Sequence, residues 1–132
     1  MCLASIVMTQ SPVLAAAPAI VDFSASTPEI TTSTPPADRL LAGTPQQIAR
    51  NYFSDTTGKF FAGIWESTPG KWRIRYTENE FCHLIQGRVR ISDGNGRSRI
   101  FETGDTFVIP SGFAGEWEVL ESARKLYVVY EP

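Results

Sequence analysis

The apolar positions in the second half of the chain follow the two-residue repeat of β-strands. Trp72-Arg-Ile-Arg-Tyr76 alternates apolar and charged residues, and Glu116-Trp-Glu-Val-Leu120 does the same. This alternation is typical of a strand with one buried face. Aromatic and β-branched residues predict further strands at 59–66, 80–86, 88–92, 97–101, 106–109 and 125–130. The pattern therefore predicts an all-β protein of seven or eight short strands.

Turn signals separate these strands. Asp93-Gly-Asn-Gly96 lies between two strand patterns and predicts a hairpin, and Thr68-Pro69-Gly70 predicts another turn. Many short strands with frequent turns are typical of a sandwich or a closed barrel.

The first 38 residues differ in composition from the rest. They are rich in Ala, Ser, Thr and Pro, and no basic residue precedes Arg39. We expect Pro28, Pro35 and Pro36 to prevent regular structure here. The sequence thus predicts an extended, partly ordered arm at 1–38, packed on the body or on a partner subunit, and a barrel domain at 39–132. One short helix is predicted at 44–50, because Thr44 suits a cap and Pro45 a first helical position.

The bulk composition limits the partners. The 132 residues amount to one domain, and a net charge of −2 gives no reason to expect a nucleic acid or an anionic membrane as partner. No apolar run approaches the ~20 residues that span a bilayer. The two cysteines form no disulfide framework, and no basic residue precedes the apolar N-terminal stretch. We therefore expect a cytoplasmic protein rather than a secreted one.

Two glycine-bracketed segments make the barrel prediction specific. Glu80-x6-Gly87 is followed, after the hairpin, by Gly104-x5-Pro110-x-Gly112. On these segments the chain from about residue 61 to 131 resembles the cupin superfamily, in particular the small cupins of the ureidoglycine aminohydrolase and ethanolamine-utilisation branches. Further matches are Gly63-Ile-Trp-Glu66, Pro69-Gly-Lys-Trp72, Ile109-Pro-Ser-Gly-Phe113 and Trp117-Glu-Val-Leu-Glu121. The resemblance implies a cupin-type jelly-roll β-barrel.

The resemblance also implies where metal ligands would lie. Cupins usually place two histidines and a glutamate on the first motif and one histidine on the second. Glu80 matches the glutamate, whereas the second-motif histidine corresponds to Gly115. The first two histidines correspond to Ile74 and Tyr76, or to two arginines if the spacing is one residue longer.

The alternation of side chains along a strand helps to distinguish the two spacings. Trp72, Ile74 and Tyr76 share one face, and Arg73 and Arg75 share the other. An unpaired buried arginine is costly, so we expect the apolar face to point into the barrel. The sequence then predicts no resident metal, because a tight site needs three or four converging donors. At most, a divalent ion is expected to bind weakly at Glu80.

Glu80 is the candidate catalytic residue. In an aromatic pocket we expect desolvation to favour its protonated form, which suits general acid–base work. Alternatively, Glu80 is a relic of a metal site, satisfied by backbone amides or an arginine. The predicted ligand pocket comprises Trp72, Ile74, Tyr76, Glu80, Cys82 and Trp117.

Other side chains of the region have two interpretations each. The pocket aromatics form either plain core or a platform for a sugar ring or flat heterocycle. Cys82 is either a core residue or a nucleophile. His83 is expected to point away from the pocket, at a sheet or subunit contact, with a catalytic base or pH switch as the alternative.

Three functions follow from these features. The first is a cupin that binds a small polar metabolite around a lone glutamate without a full metal site. The second, implied by the resemblance, is a ureidoglycine aminohydrolase-like enzyme acting on a small ureido or amino-acid-like compound. The third is a non-catalytic homodimeric module, because the long arm suits strand exchange between subunits.

Overall fold

The computed structural model describes residues 17–132, which form an almost entirely β structure. Within this range no helix is long and apolar enough to cross a bilayer. One 3-10 turn lies at Phe23–Ala25. The strands are β1 Glu29–Ser33, β2 Leu40–Ala42, β3 Gln47–Ser54, β4 Phe60–Ser67, β5 Gly70–Arg75, β6 Asn79–Asp93, β7 Ser98–Glu102, β8 Thr106–Ile109 and β9 Ala114–Tyr130. The predicted all-β class with at most one short helix is confirmed.

Two long strands, β6 and β9, organise the barrel. They pair with each other over nearly their whole length, with register shifts near Gly87. Each combines two strands that the sequence predicts separately. The C-terminal half of β9 pairs with β4 and the N-terminal half with β5, while β6 pairs with β8 and β7. The sheet therefore has two halves that share bent strands, as in a jelly roll.

The hydrophobic core lies between the two halves of the sheet. Trp117 and Leu84 are among the largest fully buried side chains. The cluster is formed by Trp72, Leu84, Val89, Ile91, Ile109, Trp117, Val119 and Ala123. Ile74 and Tyr76 pack against it, whereas Arg73 and Arg75 are exposed. The predicted inward face of β5 is thus confirmed.

The glycine that ends the first motif is required by close packing. Gly87 has φ +92°, and a Cβ there would lie 2.3 Å from the carbonyl oxygen of Ser122 and 2.6 Å from Cα of Ala123. Both the left-handed backbone and the missing side chain let β6 cross close to β9 at its register shift.

The N-terminal segment contributes strands at both edges of the sheet. β1 pairs with β3 at one edge and β2 pairs with β5 at the other, so residues 34–39 connect the two edges. Pro35 is buried along this connection. The expectation that prolines prevent regular structure is therefore wrong for 29–33, where the prolines flank the strand.

The predicted helix at 44–50 is also wrong. Gln47–Ser54 is a strand, paired with β1 on one side and β4 on the other. The capping signals of Thr44 and Pro45 are local. Pairing of β3 with β1 and with β4 outweighs them, because it provides hydrogen-bond partners for the backbone N–H and C=O groups of β3 on both edges.

Candidate functional site

Glu80 forms a buried ion pair inside the barrel. Its Oε2 lies 2.9 Å from Nζ of Lys125, and the two side chains are 8% and 6% exposed. Glu80 lies on β6 and Lys125 on β9, which pair side by side, and both residues face inward with Cys82. Both charges are largely shielded from solvent, and each compensates the other. The relic interpretation of Glu80 fits this position better than free acid–base catalysis, although the partner is a lysine.

Tyr76 binds the second oxygen of the same carboxylate. Its hydroxyl donates a hydrogen bond to Oε1 of Glu80 over 2.6 Å. Burial, followed by the adjacent carboxylate, raises the pKa of Tyr76 well above its ordinary value. The phenol therefore remains a neutral donor, and Glu80 has a strong donor on each oxygen.

Aromatic rings enclose the ammonium of Lys125. Its Nζ lies 4.5 Å from the ring centroid of Trp117 and 4.7 Å from that of Trp65. The two indoles meet edge to face at 5.7 Å. Burial is the largest single effect on the pKa of Lys125 and lowers it, but the charge of Glu80 together with the contributions of Cys82 outweighs burial, and the pKa is raised. The ammonium is thus stabilised by one carboxylate and two π faces.

Cys82 is packed beside this pair as an unreactive thiol. The residue is fully buried, and burial raises its pKa to about 12 even though the Lys125 ammonium opposes that shift. A nucleophilic cysteine needs a lowered pKa and access to substrate. The structure therefore favours the core interpretation of Cys82.

The positions that would supply a cupin metal do not fit one. Ile74 has no donor atom, and the Tyr76 hydroxyl is already committed to Glu80. At Gly115 a Cβ would lie 2.0 Å from the carbonyl oxygen of Ser92, so this backbone leaves no room for a histidine. Within residues 17–132 no cluster of three His, Cys, Asp or Glu side chains has the geometry of a metal site. The donor set around Glu80 thus supports an ammonium rather than a metal ion.

The predicted pocket residues are brought together, but in two layers. Glu80, Cys82 and Trp117 lie in the buried layer around Lys125. Trp72, Ile74 and Tyr76 border a groove of about 480 Å³, which the 34–39 connection and Gln47 also line. Tyr76 both lines this groove and donates its hydroxyl to the Glu80 carboxylate, so it connects the two layers.

Sequence reasoning missed Lys125 and Trp65. One signal was present: Lys125 alternates with Tyr127 and Val129 on the inward face of an apolar strand, an unusual place for an unpaired lysine. Tyr127 was missed as well. Its hydroxyl donates to Oδ1 of Asn51 over 2.9 Å, next to Gly63, where a Cβ would clash with the Tyr127 ring.

His83 lies on the outer face of β6. Its neighbours in register are Leu126 and Thr106, and its Nδ1 is 3.0 Å from the Thr106 hydroxyl. It is half-buried and faces away from Glu80, as the strand parity predicts.

The bent two-halved sheet and the motif glycines define a small cupin. The sequence model of the EutQ-like cupin domain matches residues 55–127, more than half of the chain. The chain belongs to the EutQ-like cupin family. No curated protein sequence matches it.

Solved structures agree with this assignment. A Pseudomonas syringae pv. tomato protein of unknown function is 34% identical, with a TM-score of 0.69 over 76% of this chain and 44% of that one. EutQ of Clostridium difficile is 22% identical, with a TM-score of 0.59 over 66% of this chain and 64% of that one. An ethanolamine-utilisation protein Q from Salmonella typhimurium is 17% identical, with a TM-score of 0.59 over 80% of this chain and 97% of that one. The chain thus spans about half to two thirds of the first two proteins.

Proposed function

We propose that this protein is a metal-independent cupin that binds a small polar metabolite at the barrel mouth. The observation that carries the proposal is the Glu80–Lys125 pair, in which an ammonium neutralises the carboxylate that the family resemblance assigns to a metal. The predicted cytoplasmic location is part of this proposal.

The groove beside the pair supports a binding role. It has a volume of about 480 Å³ and offers the edge of β5, with Trp72, Ile74 and Tyr76, opposite the 34–39 connection. That volume lies within the range of small-molecule sites. Most of the residues that line the groove are polar or charged, which suits a polar ligand. The proposed ligand therefore contacts Tyr76 and leaves Glu80 and Lys125 buried beneath it.

The aminohydrolase-like alternative has less support. An activity of that type uses a bound metal, and the corresponding positions here hold Ile74, Tyr76 and Gly115 around an occupied Glu80. General acid–base catalysis also requires contact between the carboxyl group and the substrate. A buried Glu80 held by two donors lacks that contact.

The proposal is tested on protein purified without chelator. We expect elemental analysis to find Mn, Fe, Ni and Zn far below one equivalent. A thermal-shift screen of small polar metabolites in excess EDTA is expected to yield a stabilising compound. Ile74→Ala should weaken its binding, because Ile74 lines the groove, whereas Ile100→Ala on exposed β7 should not. One equivalent of metal, or binding that EDTA abolishes, would refute a metal-independent site.

A second candidate function is homodimerisation, which a continuous apolar outer face favours. Partners in register across five strands are all apolar: Val108, Phe81, Val128, Ala62 and Phe53. Val108 is 60% exposed and Phe81 43%. Large exposed apolar patches mark interaction sites. A second copy is the proposed occupant, because a two-fold axis brings the same patch of two subunits together.

Light scattering measures this association. We expect a dimer for the full chain and a monomer for Val108→Glu, since a carboxylate in an apolar interface is desolvated without a partner. Ile100→Glu, on another exposed strand, is the matched control and should remain dimeric. A monomeric wild-type protein, or a dimer unaffected by Val108→Glu, would rule out this face. Deletion of residues 1–38 tests the arm separately. If the shortened protein remains a dimer, this face rather than strand exchange by the arm joins the two copies.

A further inference from the structure

Five of the twelve cations form no ion pair within residues 17–132, and three of these five, all arginines, concern one edge of the barrel. All twelve Lys and Arg residues lie within residues 17–132, and seven of them pair with carboxylates. In this described part of the chain no carboxylate lies within ion-pair distance of Arg39, Arg73 or Arg75. Residues 1–16 contain no acidic side chain. These three charges are therefore not compensated within the chain.

The three arginines lie together at one edge of the barrel. The backbone N–H of Arg73 donates to the carbonyl oxygen of Arg39 over 2.9 Å, next to the Leu40–Trp72 register pair. Arg39 and Arg73 are thus direct cross-strand neighbours, whose Cβ atoms are typically about 5 Å apart. Arg75 follows two residues later on the same face of β5, about 7 Å away. Like charges at these distances repel each other. An anion bound between the three guanidinium groups would reduce that repulsion.

Two adjoining grooves meet at these arginines. One has a volume of about 600 Å³ and the other about 480 Å³, and both are lined by Arg39, Arg73, Ile74 and Arg75. The smaller one is the groove of the proposed function, which also contacts Trp72 and Tyr76. A small molecule in it therefore lies within reach of three guanidinium groups.

The acidic residues bordering the grooves are engaged elsewhere. Asp93 and Glu116 each pair with another cation, at 3.3 and 3.2 Å. The Glu78 carboxylate accepts a hydrogen bond from the backbone N–H of Thr77 over 3.0 Å. The positive charge of the arginines thus exceeds the free negative charge around them.

We propose that the arginine cluster binds a small oxyanion with at least two negative charges, borne by carboxylate or phosphate groups. The planar fork of donors on arginine matches both groups in bidentate fashion. The inference rests on the proposed function, because the anion occupies the same groove, and it defines the ligand class of that groove. Ile74, which lines both grooves, then contacts the apolar part of the ligand.

Isothermal titration calorimetry with citrate and with pyrophosphate tests the assignment. The double variant Arg73→Ala/Arg75→Ala is expected to weaken binding of the preferred anion by about tenfold or more, because two charged donors are lost. Lys59→Ala/Arg99→Ala removes two other unpaired cations and serves as the control of equal net charge, with affinity unchanged. Preference for citrate or pyrophosphate distinguishes carboxylate from phosphate ligands. Thermal unfolding checks that both variants fold.

Three outcomes would overturn the inference: no binding of either anion to the wild-type protein, unchanged affinity in Arg73→Ala/Arg75→Ala, or an equal loss in the control variant. If a neutral metabolite from the EDTA screen binds while neither anion does, the oxyanion proposal is contradicted, whereas the proposal of a metal-independent binding groove is not. Stoichiometric metal in the purified protein overturns the proposed function instead.

Discussion

Replacing Lys125 by methionine is expected to lower the free energy of unfolding by about 3–5 kcal/mol, because it leaves the Glu80 carboxylate buried without its counter-charge. Methionine fills similar space between the indoles of Trp65 and Trp117, so the loss is mainly electrostatic. Urea denaturation at neutral pH measures it. Glu80→Gln should destabilise the protein to a similar degree, since it leaves a buried ammonium.

The double variant Glu80→Gln/Lys125→Met separates the pair from general core damage. It removes both charges, so its loss should be much smaller than the sum of the single losses. Lys71→Met is the surface control. It breaks a pair in which both side chains are more than a third exposed, and we expect a change of no more than about 1 kcal/mol. Additive losses in the double variant would contradict a tightly coupled pair.

Replacing Gly115 by alanine is expected to destabilise the protein by more than about 3 kcal/mol through a backbone clash. The added Cβ would lie 2.0 Å from the carbonyl oxygen of Ser92, a backbone atom of the paired strand β6, and 3.1 Å from the Phe113 ring. To make room, β6 and β9 must separate at the Asp93–Gly115 register position. Thermal or urea unfolding measures the effect.

Gly94→Ala is the matched control in the neighbouring turn. A Cβ there meets nothing within 4 Å, and Gly94 does not have a positive φ. We expect this variant to be neutral or slightly stabilised, because alanine restricts the unfolded chain. If Gly115→Ala were as stable as Gly94→Ala, the strands would have room to part, and the argument against a histidine at position 115 would fail.

Much of the fold follows from local features of the chain. Alternation along 72–76 predicts a strand and the Asp93–Gly96 signal predicts a hairpin, and the structure confirms both. The two glycine-bracketed segments, 80–87 and 104–112, carry the resemblance to the cupins, which the family match confirms. The same parity places Trp72, Ile74 and Tyr76 inward. Local signals fail at 44–50, where the caps predict a helix and pairing on both edges forms β3 instead.

The sequence alone thus establishes the barrel, its inward faces and the loss of the histidines that a cupin metal requires. It also leaves Glu80 as a carboxylate without a partner. The tertiary structure supplies the partner: β6 pairs with β9, both residues face inward, and the side chain of Lys125 reaches Glu80 at 2.9 Å from a position four residues away in the register. In the same way, the pairing of β2 with β5 places Arg39 beside Arg73. Such contacts depend on which strands pair and in what register, and burial across the whole sheet determines both.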